Sequence, residues 1–125
     1  MFKIVYFILI SLLCFIITED NINYIIDNIY LGDSEAASDE EFLKHFNIST
    51  VINCAEELTS EYRDLKFLEL QLSDDYDQNL FPKFEEAYKY IKLQPEKNVF
   101  IHCSMGMSRS ASLVIFYIMR KRMEF

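Results

Sequence analysis

Val99-Phe100-Ile101-His102-Cys103-Ser104-Met105-Gly106-Met107-Ser108-Arg109-Ser110 is the stretch on which the reading of the whole chain turns. It is a hydrophobic strand, then a tight loop that opens on a cysteine, then an arginine six residues later where a helix begins. Physically, this is an anion site with a nucleophile at its centre. A helix amino terminus presents unpaired backbone N–H groups and the positive end of the macrodipole. A run of successive N–H groups ahead of it curls into a nest for phosphate oxygens, and Gly106 permits the backbone conformation such a curl needs. Arg109 adds a planar fork able to hold two phosphate oxygens at once. Thiols beside helix N-termini and cations ionise more readily than a free thiol, so Cys103 is expected to act as a thiolate. The implied chemistry is nucleophilic attack on phosphorus with a phosphocysteine intermediate.

Outward from this loop, strand-like and helix-like segments alternate. Ile25 to Leu31 predicts one strand ending at Gly32, and Ser38-Asp39-Glu40-Glu41 predicts a helix capped by Ser38 and running to about Phe46. Ser49 to Asn53, Lys66 to Leu72 and Asn98 to His102 read as strands. Pro82 suits a first helical turn, and Phe84, Ala87, Tyr88 and Ile91 then recur at helical spacing. Ser110 to Lys121 reads as an apolar helix. Such alternation predicts an α/β fold with a mostly parallel central sheet flanked by helices.

The chain resembles the cysteine-dependent phosphatases, whose signature is the His102-Cys103-x5-Arg109-Ser110 arrangement. Its Ser108-Arg109-Ser110 ending resembles their dual-specificity protein phosphatase branch. The likeness extends from about Tyr24 to Phe125 through Asn28-Ile29-Tyr30-Leu31-Gly32, Ile48-Ser49-Thr50-Val51-Ile52-Asn53-Cys54 and Ile115-Phe116-Tyr117-Ile118-Met119. Phe116 stands where the family usually has Ala. The resemblance implies that Cys103 is the nucleophile and Arg109 the transition-state clamp. The backbone of Ser104, Met105, Gly106, Met107, Ser108 and Arg109 would cradle the phosphate. His102 would hydrogen-bond to the loop and tune the thiolate, and Ser110 would assist departure of the cysteine in the second step. Leu72-Ser73-Asp74-Asp75 lies where the family carries its general acid. The family spacing points to Asp74, with Asp75 and Asp77 as competitors. The family domain continues past the helix after the signature loop with further helices, so residues 21–125 are expected to form a catalytic domain incomplete at its carboxyl end.

Composition narrows the alternatives. The chain has 125 residues, room for one domain, and 51% are hydrophobic, with 11 Phe and 8 Tyr to build a core. The net charge of −8 disfavours binding to nucleic acid, which runs on cations against phosphates. Three widely spaced cysteines make neither a disulfide framework nor a zinc cluster, so no metal or cofactor is expected, and Cys14 and Cys54 read as buried small hydrophobes. The run from Ile4 to Ile17 is too short for a span of roughly 20 apolar residues. It reads as a cleaved signal, an uncleaved anchor, or a segment added by a doubtful start codon, and residues 1–20 are set apart from the fold. Membrane attachment through residues 4–17 therefore stays open. A catalytic thiolate favours a cytoplasmic or membrane-associated location facing a reducing compartment, against the secretory alternative. The loop lacks the lysines of phosphoinositide phosphatases, so phosphotyrosine and phosphoserine/threonine on protein substrates are the expected partners. A noncatalytic phosphoprotein-binding module and a phosphatase of non-protein esters remain the alternatives, and the oligomeric state is left open. Asn47-Ile48-Ser49 matches a glycosylation sequon but precedes an expected buried strand.

Overall fold

Asp27 and Asn28 break the first apolar run in two. Both take left-handed backbone angles (φ 49° and 68°), the pair of positive values that a tight two-residue hairpin turn requires. The expected single strand is thus corrected to a hairpin, β1 (Ile22–Ile26) antiparallel to β2 (Ile29–Gly32). The computed structural model describes residues 8–9, 21–73, 79–104 and 108–124. Met1 to Phe7, residues 10–20, and with them most of the apolar run, lie outside that set. Among the described residues no helix is long and apolar enough to cross a membrane.

After the hairpin come α1 (Ser34–Ala37), α2 (Glu40–His45), β3 (Ile48–Ala55), β4 (Lys66–Leu72), α3 (Phe81–Lys92), β5 (Asn98–His102) and α4 (Ser108–Arg122). The four-residue α1 was not expected, and it moves the next cap. Ser38 closes α1 by donating its hydroxyl to the Glu35 carbonyl at 2.7 Å. Asp39 therefore caps α2, its carboxylate accepting from the Phe42 N–H at 3.1 Å. Asn47 ends that helix in the left-handed region (φ 57°), and its N–H returns to the Lys44 carbonyl at 2.9 Å.

The sheet runs β1-β2-β5-β3-β4, parallel throughout except for the hairpin. The expected mostly parallel sheet flanked by helices is what forms. β5 lies in the middle, and its Val99, Phe100, Ile101 and His102 are all buried because both sheet faces are covered. Alternation along β5 separates two cores. Val99, Ile101 and Cys103 face α3 and α4. Phe100 faces α1 and α2 with Ala36, Ala37, Leu43, Val51 and Leu65.

Gly32 is where β2 comes closest to that second core. A Cβ there would stand 2.2 Å from the Asn21 carbonyl oxygen and 2.6 Å from the Phe100 ring, so only glycine fits beside this ring. The helices facing Cys103 are joined by Arg120 of α4, whose Nε donates to Glu85 of α3 at 2.8 Å. Lys121 pairs with Asp27 in the hairpin turn. Two of the three terminal cations of α4 are thus tied to neighbouring elements.

Candidate active site

Cys103 is the first residue beyond β5, held at the centre of the sheet between β2 and β3. Its neighbour His102 pairs with Gly32 on one side and Asn53 on the other. The next helix, α4, begins at Ser108. Cys103 is fully buried, and its sulfur lies 3.2 Å from the Ser110 hydroxyl in the first turn of that 15-residue helix. The thiol therefore sits against the positive end of a long helix, with a hydroxyl in reach.

His102 points to the opposite face. Its ring stacks on Phe100 with centroids 5.8 Å apart, and its Nδ1 is 3.3 Å from the Cys103 carbonyl oxygen. Burial pushes its pKa down to about 4, so the ring is neutral at neutral pH. In the tautomer that suits this contact, Nδ1–H donates to the Cys103 carbonyl. The contact reaches the backbone of Cys103 and not its sulfur.

Arg109 is 6% exposed, and its guanidinium is firmly held. Nη1 donates to Glu57 Oε1 at 2.6 Å and to the Leu72 carbonyl at 2.8 Å. Nη2 donates to Glu57 Oε2 at 2.7 Å and to the Ser104 hydroxyl oxygen at 2.8 Å. Ser104 in turn donates its hydroxyl hydrogen to Glu57 Oε2 at 2.7 Å. Bonds from Arg109 first, and then from Ser104, lower the Glu57 pKa to about 2. Glu57 is the residue that sequence reasoning missed, since nothing local marks one glutamate 52 positions before its arginine. The turn that presents it carries a readable signal only in Asn53. That buried side chain donates to the Leu58 carbonyl at 2.8 Å and accepts from the Ala55 N–H at 2.9 Å, folding the chain around residues 53–58.

The other sequence-derived candidates divide plainly. Ser104, Ser108 and Ser110 join Cys103 and Arg109 around the loop, with Ser108 opening α4. Met105, Gly106 and Met107 lie outside the described residues, as do Asp74, Asp75 and Asp77. The chain leaves toward the aspartates from Leu72, whose carbonyl touches Arg109. Cys54 is fully buried in β3, and burial pushes its thiol pKa well up, in keeping with a structural role. Among the described residues no group of three His, Cys, Asp or Glu is placed to hold a metal.

Comparison with known proteins adds independent findings. A family model for the dual specificity phosphatase catalytic domain matches residues 29–124. The tyrosine-protein phosphatase vhp-1 of Caenorhabditis elegans is 38% identical over 109 residues, covering 82% of this chain and 16% of its own length. Dual specificity protein phosphatase 1B of Arabidopsis thaliana is 33% identical over 96 residues, covering 74% of this chain and 58% of that protein. The chain thus spans less than two thirds of either relative. The crystal structure of human DUSP28 superposes with a TM-score of 0.74 at 21% identity, over 82% of this chain and 72% of that one, a likeness of fold.

Proposed function

The chain belongs to the dual specificity phosphatase family, and from that premise we propose that it hydrolyses phosphotyrosine and phosphoserine/threonine esters in proteins through a cysteinyl-phosphate intermediate. The Cys103 thiolate attacks phosphorus. The S–P bond forms as the P–O bond to the substrate side chain breaks, and Asp74 gives the departing oxygen its proton. A water then attacks the phosphocysteine and passes a proton to the Asp74 carboxylate. The S–P bond breaks, releasing inorganic phosphate and the thiolate, which the Ser110 hydroxyl receives. Arg109 and the loop N–H groups bind the equatorial phosphate oxygens, whose charge is spread in the transition state.

The observation that carries this reading is the placement of Cys103. A buried thiol at the carboxyl end of the central strand lies 3.2 Å from a hydroxyl at a helix amino terminus, one residue from a buried arginine. The reading is tested by phosphate release from peptides carrying phosphotyrosine or phosphothreonine. Release by the full chain, with Cys103→Ser silent on both, is the expected result. Tight phosphopeptide binding with no release by either protein would instead make the chain a binding module.

A further inference from the structure

On the face of β5 opposite the Cys103 sulfur, α1 and the chain after β3 enclose a cleft of about 250 Å³, with His102 in its wall. Its two sides are tied together. Tyr62 donates its hydroxyl to the Ala37 carbonyl at 2.6 Å, and Glu40 accepts from the N–H groups of Arg63 and Asp64 at 2.6 and 3.0 Å. The volume falls below the roughly 300–1,000 Å³ of clefts that take whole drug-sized ligands, and it suits one side chain. The chemistry of the wall is one-sided. Glu40 and Glu61 supply carboxylates, Ala37, Leu58 and Tyr62 supply apolar surface, and no lysine or arginine is among the described residues that line it. His102 is 2% exposed, and its Nε2 has no hydrogen-bond partner among the described residues. With Nδ1–H directed at the Cys103 carbonyl, Nε2 is the acceptor nitrogen of a neutral ring. A buried acceptor without a donor is destabilising, and an occupant that brings a donor relieves it. The matching group has hydrogen-bond donors and positive charge on an apolar stem. Arginine has that form, with a planar fork of N–H donors, no side-chain acceptor and a chain of methylenes behind it.

We propose that this cleft receives an arginine side chain of the protein substrate, from a residue flanking the phosphorylated one, with its guanidinium between Glu61 and His102. The proposal rests on the phosphatase reading, whose substrate class it narrows. Chain position links the cleft to the reaction. His102 and Cys103 are consecutive, so their Cα atoms stand about 3.8 Å apart. Leu58 in the cleft wall follows Glu57, which is bonded to Arg109. A substrate backbone crossing the end of β5 therefore passes both places. Residues of an extended peptide advance about 3.3 Å each, which puts the arginine within about three positions of the phosphorylated residue.

The test compares phosphotyrosine peptides of one sequence that carry arginine or glutamine at each of these flanking positions. Turnover by the full chain gives kcat/KM, and binding to full-length Cys103→Ser gives an affinity that needs no phosphate release. Arginine at one position is expected to raise both by about 3–10-fold over glutamine, the worth of a partly exposed charge pair with added hydrogen bonds. Glu61→Lys should remove or invert that preference, and Glu61→Gln should reduce it. Glu61 is exposed, so neither change removes a core side chain. In the nitrogen NMR spectrum of the histidine rings, the His102 Nε2 signal should move with the arginine peptide and stay with the glutamine one. Charge attraction from a distance would not move it. No preference at any position, a preference unchanged in Glu61→Lys, or an unmoved Nε2 signal overturns the inference. So does arginine amide slowing both peptides equally, since the cleft then takes a free cation and not the substrate. An arginine preference in binding without phosphate release overturns the phosphatase reading and leaves the cleft as a reader of phosphopeptides. Release without any preference overturns the role of the cleft alone.

Discussion

Acid should weaken this fold through His102 before its carboxylates matter. The buried imidazole has a pKa of about 4 against 6.5 for the free side chain. Between those values the unfolded chain binds a proton that the folded chain refuses, so stability must fall as pH drops through that window. A shift of that size corresponds to about 3 kcal/mol in full, at 1.36 kcal/mol per unit. Integrating from about pH 7.5 down to about pH 5 leaves roughly 2 kcal/mol lost, a large part of the 5–15 kcal/mol typical of a domain. Urea melts at the two pH values, in the unmodified protein and in His102→Gln, isolate this group because the variant has no titrating ring there. The variant should be weaker at about pH 7.5, for it disturbs the stack on Phe100, yet it should lose far less on acidification. An equal acid-induced loss in both proteins would refute the reasoning. So would NMR showing the His102 ring titrating near its ordinary value. The Glu57–Arg109 pair adds a second, more acidic window, because the Glu57 carboxylate at about 2 loses its stabilising charge as pH falls below 4.5.

Three further outcomes are expected. Gly32→Ala forces a methyl carbon onto the Asn21 carbonyl and the Phe100 ring, and should cost about 3 kcal/mol or more, seen as a much lower denaturation midpoint; equal stability would show that β2 can move aside. Ser110→Ala removes the hydroxyl 3.2 Å from the Cys103 sulfur, which on the proposed mechanism receives the departing thiolate through a charge-assisted bond of about 1.5–3 kcal/mol. It should slow breakdown of the phosphoenzyme about 10–150-fold and reveal a burst with an aryl phosphate, whereas a uniform slowing without a burst would contradict that role. Asp74→Asn should lower turnover of a phosphotyrosine peptide by about 10²–10⁴-fold, and by less with a leaving group of low pKa; a larger effect from Asp75→Asn or Asp77→Asn would move the acid elsewhere.

Where a segment's role was set by its own residues, the sequence was readable. β4 and β5 form over the residues expected of them, and α4 starts two residues before its expected position. The hairpin was hidden because Ile25, Ile26 and Ile29 make the turn at Asp27-Asn28 look like one polar interruption in a longer strand. The helix cap slipped by one residue because a four-residue helix claimed Ser38 first. The candidates Cys103, Arg109 and Ser110 could be named from the sequence because they are parts of one loop and the helix after it. Glu57 could not be, since its meaning exists only once β3 and β4 lie beside β5 and bring a turn from mid-chain onto an arginine 52 residues later.

The position of β5 has a consequence for how the molecule comes into being. Chain order and sheet order differ, and the central strand is made after all the others. A nascent chain that ends before Asn98 has two separate strand pairs, β1 with β2 and β3 with β4. The edges of β2 and β3 that will face β5 still have bare N–H and C=O groups. Such edges invite pairing with the wrong neighbour, and closing them requires contacts distant in sequence, which form slowly. When β5 inserts, it satisfies both edges at once and in the same event sets Cys103 against the helix that follows. A half-made molecule is consequently sticky, and Cys103 meets its helix only in the step that ends the risk of misassembly.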